Sequence, residues 1–325
     1  MQKIFRLRYV VAALILGVLV GVPAIRDPER RDLTADTRKE FSGSFVQLDE
    51  GAVRYHLTGP IGAPLVVLVG GLTTSLEYFD ETRAFLNTLG YRTLSFDLFG
   101  RGGSDRPAAL AYDQSTFNQQ LSGLLRALEI STPVHLVGQS LGGGIVISWA
   151  AEHPEKVRSL FIQDSAGFLA EPPAMLSVLK TPLLGDYLWW ALSDIALIAG
   201  VDSYFVDEER TERAAAFLRR QLSAAFEFKG YRHAVLETIR HFGAVNMEGP
   251  FRAVGATAIP IKIVWGRQDR VTPVSNLDQL ASWLENRADI TIMDNVGHMP
   301  MLEAPDSAHS LLAEHLGALQ PIAAE

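Results

Sequence analysis

Short apolar, β-branched runs alternate with stretches of helical spacing along most of this chain. Ser44–Leu48 and Ala52–Leu57 read as two short strands around the turn Asp49-Glu50-Gly51. Leu65–Val69 is a continuous apolar run, the pattern of a strand buried on both faces. Helical spacing follows over Leu76–Leu89, with Gly90 as its stop. The same rhythm predicts strands at Arg92–Phe96, Val134–Val137, Val157–Ile162, Ile261–Trp265 and Ile290–Met293. Helices are expected at Thr116–Leu128, Leu141–Ala151, Ser275–Leu284 and Pro305–Leu316. Strand and helix in regular succession imply an α/β fold, a mostly parallel eight-stranded sheet with helices on both faces.

The rhythm breaks at Phe168. From there to about Val254 the chain reads as helices only, punctuated by Pro172, Pro173 and Pro182. Asp207 has the character of an N-cap, with Glu208 and Glu209 in the first turn where negative charge suits the helix dipole. Ala214, Leu218, Leu222 and Ala225 form one apolar stripe. Such an insert reads as an all-helical cap placed after the sixth strand, over the carboxyl edge where open α/β sheets bind ligands. The expected organisation is an N-terminal signal or membrane anchor at 1–25, a charged tether at 26–40, a core from 41–167 and 255–325, and the cap at 168–254.

Composition changes this picture little. Of 325 residues 48% are hydrophobic and 20% charged, as in ordinary globular proteins, and the net charge of -8 argues against a nucleic-acid partner. Zero cysteines exclude disulfides, thiolate metal sites and a cysteine nucleophile. No paired histidines or carboxylates stand at ligand spacing, so neither a metal nor a cofactor is expected.

The N-terminus adds more. Lys3, Arg6 and Arg8 precede an apolar stretch from Tyr9 to Val22, with small residues around a possible cleavage point after Ala24. The run is shorter than the ~20 residues of a comfortable span, but Ile4–Leu7 and Ile25 extend it if it stays uncleaved. An anchor through residues 4–25 is favoured over a cleaved signal. Arg26, Arg30, Arg31, Arg38 and Lys39 follow the apolar run and blur the charge asymmetry that sets orientation. The main domain is expected on the extracytoplasmic side. Residues 26–40 carry ten charged side chains, too many to bury apolar area.

Candidate chemistry centres on Gly138-Gln139-Ser140-Leu141-Gly142, after a predicted strand and before a predicted helix. A serine held clear of a sheet on a tight strand-to-helix turn crowds the positions two before and two after it, and both are glycine here. Its hydroxyl needs a base, and the base an orienting carboxylate. Of eight histidines, His298 follows the last predicted strand, at the same sheet edge as Ser140. His56 and His135 lie in strands, His153 ends a helix, His309 and His315 lie on the terminal helix, and His233 and His241 belong to the cap. Asp269 sits just past the strand Ile261–Trp265, one strand before His298, while Asp164 follows the strand before that and faces the same edge. A tetrahedral intermediate needs two backbone N–H donors, expected from Leu141 and from the loop Val69-Gly70-Gly71-Leu72-Thr73, there from Leu72 ahead of Gly71.

Five stretches together resemble the α/β-hydrolase superfamily: Val69–Leu72, Asp97–Asp105, the serine motif, Trp265–Pro273 and Gly297–Pro300. They fall within residues 65–305, nearly the whole globular part. The resemblance implies the chain order serine, acid, histidine, hence Ser140, Asp269 and His298 as the catalytic triad, with Leu72 and Leu141 as the oxyanion hole. The family usually opens its oxyanion loop with His-Gly, where this chain has Gly70-Gly71. The charged residues of Asp97–Asp105 read as structural, turning the chain after the fourth strand. Family members that open epoxides or remove halides carry an aspartate at the position of Ser140, which disfavours those reactions.

The cap carries Trp189, Trp190, Tyr204, Phe205, Phe217, Phe226, Phe228 and Tyr231, most of them expected in its own core. With few cations among them, an uncharged apolar ester is the expected small-molecule substrate, and the resemblance extends to membrane-anchored monoacylglycerol lipases and carboxylesterases. Carbon–carbon hydrolysis of a ring-fission diketone and haloperoxidase-like perhydrolysis use the same serine and stand as alternatives. A non-catalytic ligand-binding protein of the same fold is a further one.

Overall fold

The run Leu65–Val69 forms a strand whose residues are all buried, and it organises the molecule. The computed structural model describes residues 17, 20–242 and 246–317. Most of the expected anchor at 4–25 lies outside the described residues; within them, 20–26 are helical. The strands are β1 (Ser44–Gln47), β2 (Ala52–Thr58), β3 (Leu65–Val69), β4 (Arg92–Phe96), β5 (Val134–Gln139), β6 (Val157–Gln163), β7 (Ile261–Gly266) and β8 (Asp289–Met293). They form one sheet in the order β1-β2-β4-β3-β5-β6-β7-β8. β1, β2 and β4 pair antiparallel, and every later pair is parallel, with Val67 facing Leu94 on one side and Leu136 on the other.

Alternation along β3 feeds two cores. Val67 and Val69 join the layer of Phe117, Leu121, Ile145 and Trp283, while Val66 and Leu68 join that of Leu86, Leu312 and Leu316. Each fully buried side chain of this size contributes about 1.5–3 kcal/mol. The first layer is covered by α2 (Gln114–Ala127), α3 (Leu141–Glu152), α8 (Glu248–Gly255) and α9 (Leu277–Trp283), the second by α1 (Asp80–Thr88) and α11 (Pro305–Gly317). The expected helix Leu76–Leu89 divides into a 3₁₀ turn at Leu76–Phe79 and α1, and Gly90 ends it at φ 82°. α2 begins two residues before its expected start because Asp113 caps it, accepting from the Thr116 N–H at 2.8 Å.

Between β6 and β7 lie helices α4 (Ala174–Leu179), α5 (Leu184–Ala199), α6 (Glu208–Phe226) and α7 (Tyr231–His241), followed by α8. Leu218 and Leu222 of the expected stripe are buried, with Ala214 and Ala225 half-buried beside them. The segment 26–40, expected as a tether, is docked on the globular part, its first residues on this helical layer and Arg38 against Asp105. The Arg30 and Arg31 amides donate to the Glu227 carbonyl at 3.0 and 2.9 Å, and the Lys229 amide donates back to Arg31 at 2.9 Å. Asp27 pairs with Arg232, and Glu29 accepts from the Gly230 and Arg232 amides at 3.2 and 2.7 Å. Charges that bury no apolar surface are held here by opposite charges and backbone donors.

Candidate active site

Ser140 occupies the junction of β5 and α3 with φ 54° and ψ -118°, outside the comfortable regions for a residue with a side chain. The flanking glycines make that turn possible. A Cβ on Gly138 would collide with the Gly142 carbonyl, and one on Gly142 with the Val69 carbonyl, both rigid backbone. The Ser140 amide donates to Gln163 at 2.9 Å, and its carbonyl accepts from the Gly143 and Ala166 amides at 2.9 Å each. The strained residue is pinned on both sides.

The loop after β8 carries His298 to the hydroxyl. Its Nε2 lies 2.9 Å from Ser140 Oγ and its Nδ1 lies 2.8 Å from Asp269 Oδ2. His298 is 2% exposed and Asp269 5%, so their contact is shielded from water, while Ser140 is half-buried at the cavity. The His298 amide donates to the Tyr204 carbonyl at 2.8 Å, and Gln139 Nε2 donates to the His298 carbonyl at 3.1 Å. Glu303, on the short helix α10 (Pro300–Glu303), accepts from the Gly297 amide at 2.6 Å and from the Val206 amide at 2.9 Å. Tyr204 and Glu303 are positioning residues that the sequence reading missed. Their partners come from distant segments, and neither residue type marks such a role.

Asp269 closes a turn on itself. Its Oδ1 accepts from the Val271 and Thr272 amides at 2.7 and 3.0 Å, and Thr272 Oγ1 donates to its Oδ2 at 2.7 Å. Burial raises this carboxyl, but the His298 ring and the Thr272 and Val271 donors outweigh it and hold Asp269 below the usual carboxylate range. Asp164, the rival orienter, makes no hydrogen bond to His298. It is fully buried at φ 42°, and its Oδ1 accepts from the Gly266 amide at 2.8 Å. Burial and the neighbouring Asp269 charge push its carboxyl well above the ordinary range. The ligand-type atoms of Asp164, Asp269 and His298 lie within 4.8 Å of one another, and both His298 nitrogens are already engaged by Asp269 and Ser140. Of the other histidines, His135 bonds Ser159 at 2.8 Å and His309 bonds Thr82 at 3.0 Å, while His56 bonds Ser42 at 3.2 Å. His233 and His241 of the cap are exposed.

Among the described residues nothing accepts from the Leu72 or Leu141 amide. Leu141 opens α3, where the first amides of a helix have no internal partner. The Gly71 amide donates to Thr74 Oγ1 at 2.7 Å, which removes it as a free donor.

A cavity of about 450 Å³ opens at Ser140 between the sheet edge and the cap, walled by Leu72, Leu141, Leu169, Leu176, Ile239 and Phe242. Among the described residues Lys180 is the one charged residue on its lining. None of the eight expected cap aromatics lines it; Trp189, Phe205, Phe226, Phe228 and Tyr231 are buried in the cap, and the Tyr204 ring lies 5.9 Å from that of His298. The wall is built instead from α4 and from the end of α7.

The family described as alpha/beta hydrolase fold matches this chain over residues 64–305. Lipase 1 of Psychrobacter immobilis is 25% identical over 254 residues, covering 78% of this chain and 76% of that one. The 2-hydroxymuconate semialdehyde hydrolase of Pseudomonas sp. (strain CF600) is 29% identical over 226 residues, 69% of this chain and 76% of its own. Among solved structures, a membrane phospholipase A described as a bacterial virulence factor superposes with a TM-score of 0.67 at 25% identity, covering 98% of this chain and 99% of that one.

Proposed function

The chain belongs to the α/β hydrolase family and is a hydrolase of that fold, and from this premise we propose that it is a serine esterase of the lipase-like kind. Its substrate is an apolar carboxylic ester, cleaved through an acyl-enzyme on Ser140. One observation carries the reading: the hydrogen-bonded series Asp269, His298, Ser140 opens into an apolar cavity. Ser140 Oγ passes its proton to His298 Nε2 as it attacks the ester carbonyl. The carbonyl oxygen becomes an oxyanion between the Leu72 and Leu141 amides. His298, its imidazolium stabilised by Asp269, returns the proton to the departing alkoxide. Water, deprotonated by His298, then releases the acid and restores Ser140. Leu169, Leu176 and Phe242 hold the acyl chain.

The same reading extends to place and layout. Residues 4–25 anchor the chain at a membrane with the main domain on the extracytoplasmic side, and 26–40 join the anchor to the core at 41–167 and 255–325. Residues 168–254 form the cap. The likeness to a membrane phospholipase A over nearly the full chain supports this, as does the exposed apolar side of Val20, Val22 and Ile25.

A fluorophosphonate should label Ser140, and p-nitrophenyl esters and monoglycerides should be cleaved. Ser140→Ala or His298→Ala should lower turnover by roughly 10⁴–10⁶-fold, with Asp269→Asn about tenfold milder. A folded wild type that takes no label and cleaves no ester of any chain length refutes the proposal. Carbon–carbon hydrolysis is the second reading, favoured by the 29% identity to a 2-hydroxymuconate semialdehyde hydrolase. Preferential turnover of a ring-fission diketone over every ester would establish it instead.

A further inference from the structure

Behind the Leu72 loop stands a buried guanidinium with no carboxylate beside it. Arg101, in the turn after β4, is 0% exposed. Its Nε donates to the Leu72 carbonyl at 3.0 Å, its Nη1 to the Phe99 carbonyl at 2.9 Å and its Nη2 to Thr238 Oγ1 at 2.8 Å. Thr238, on α7 of the cap and on the cavity lining, donates its own hydroxyl to the Ala234 carbonyl at 2.7 Å. The guanidinium carbon lies 5.7 Å from the Phe117 ring centroid. Among the described residues no Asp or Glu lies within ion-pair distance of Arg101. Arg54, also on the β4 side of the sheet, pairs with both Asp97 and Glu77. Burial lowers the Arg101 pKa to about 10, which leaves the group charged at neutral pH.

Burying a charge without a counter-ion is costly, and three neutral acceptors do not require a charge to fill them. A cation in a dry site stabilises negative charge that appears near it, far more strongly than it could in water. The carbonyl that Arg101 grips belongs to Leu72, whose amide is assigned above to the oxyanion. We propose that Arg101 is a positioning residue for ester cleavage: it locks the Leu72 loop to the cap through Thr238, and its uncompensated charge favours the anionic tetrahedral intermediate over the neutral ester. This inference rests on the serine-esterase reading and on Leu72 as an oxyanion donor.

The test compares two inhibitors of the full chain, a boronic acid, which becomes a tetrahedral anion on the serine, and a neutral amide analogue of the ester. Arg101→Gln should lower kcat by about 30-fold or more and weaken the boronic acid by a similar factor, with KM and amide affinity within about threefold. Arg101→Lys, which keeps the charge, should recover most of the boronic acid affinity. A role in packing alone would shift both inhibitors together, and that outcome overturns the inference, as does an unchanged kcat in folded Arg101→Gln. If Arg101→Gln does not fold, Thr238→Val decides: the ratio of boronic acid to amide inhibition constants should rise about threefold, and an unchanged ratio overturns the inference. An inactive, unlabelled wild type would overturn the esterase reading together with this one. An active wild type beside an indifferent Arg101→Gln overturns this one alone.

Discussion

At Ser140 a strained backbone, two obligatory glycines and two buried partners from distant parts of the chain meet in space. Two carboxyls crowd the same place, Asp269 against His298 and Asp164 beside it, and burial prevents both from ionising together. Asp269 takes the charge because two amides and a hydroxyl donate to it, while Asp164 has one amide donor. The raised Asp164 carboxyl has a consequence for stability. Between the unfolded and folded pKa values the native state holds a proton that the unfolded chain has lost, so this group weakens stability as pH rises above about 4. Asp164→Asn removes that dependence and keeps the acceptor for Gly266. The difference in Tm between Asp164→Asn and wild type should increase in favour of the variant from pH 4 to pH 8. Thermal scans across that range check it; a difference that stays flat or shrinks would mean Asp164 is ionised. Ser140 and His298 are legible in the sequence because each follows a strand that must end at one sheet edge. Asp269 and Asp164 are not separated by that argument, since both follow neighbouring strands. What separates them is the turn Asp269–Thr272, whose threonine three residues on can donate to the carboxylate.

Elements meet in the cap in ways that hydropathy does not encode. The strands and most helices are legible because burial on one or both faces writes a period into the chain. The docking of 26–40 is not, since ion pairs leave no period. Arg232 is the centre of that contact: its side chain is 7% exposed, it donates to the Trp190 carbonyl at 2.6 Å, and its own carbonyl accepts from Trp189 Nε1 at 2.8 Å. Asp27 and Glu29 supply its counter-charge, and Glu29 also accepts from the Gly230 and Arg232 amides at the start of α7. Asp27→Asn with Glu29→Gln leaves Arg232 in place without a counter-charge. The double variant should be destabilised by roughly 1–3 kcal/mol, less than a fully buried pair because Asp27 is partly exposed. Hydrogen exchange at the Gly230 and Arg232 amides should accelerate first, ahead of the sheet. Unchanged protection at both would show that the segment does not brace α7.

For the molecule as a whole, most of the exposed large apolar side chains among the described residues lie on the cap or on residues 20–25. Leu184–Tyr204 is long and apolar enough to cross a membrane by composition, with 22% of its most apolar window buried. It does not stand free as a span would. Trp189 and Ser193 are buried in the cap, Asp186 pairs with Arg240 at 2.7 Å, and Asp194 pairs with Arg26 at 3.8 Å. The residues left outward on it include Leu184, Leu192 and Ile195, and the helical residues 20–26, joined to it through Arg26, expose Val20, Val22 and Ile25. An element held to the cap by its acids while showing leucine and isoleucine to solvent suits a lipid surface. Two contributions to membrane binding should then separate in liposome flotation. The full chain should float almost entirely if residues 4–25 anchor it as proposed. A chain beginning at Asp27 should bind weakly and reversibly, and adding Leu192→Ser and Ile195→Ser should abolish what remains, with ester turnover in solution kept. Residual binding that survives those two serines would place the lipid contact elsewhere on the cap, and flotation unaffected by the truncation would remove the anchor from residues 4–25.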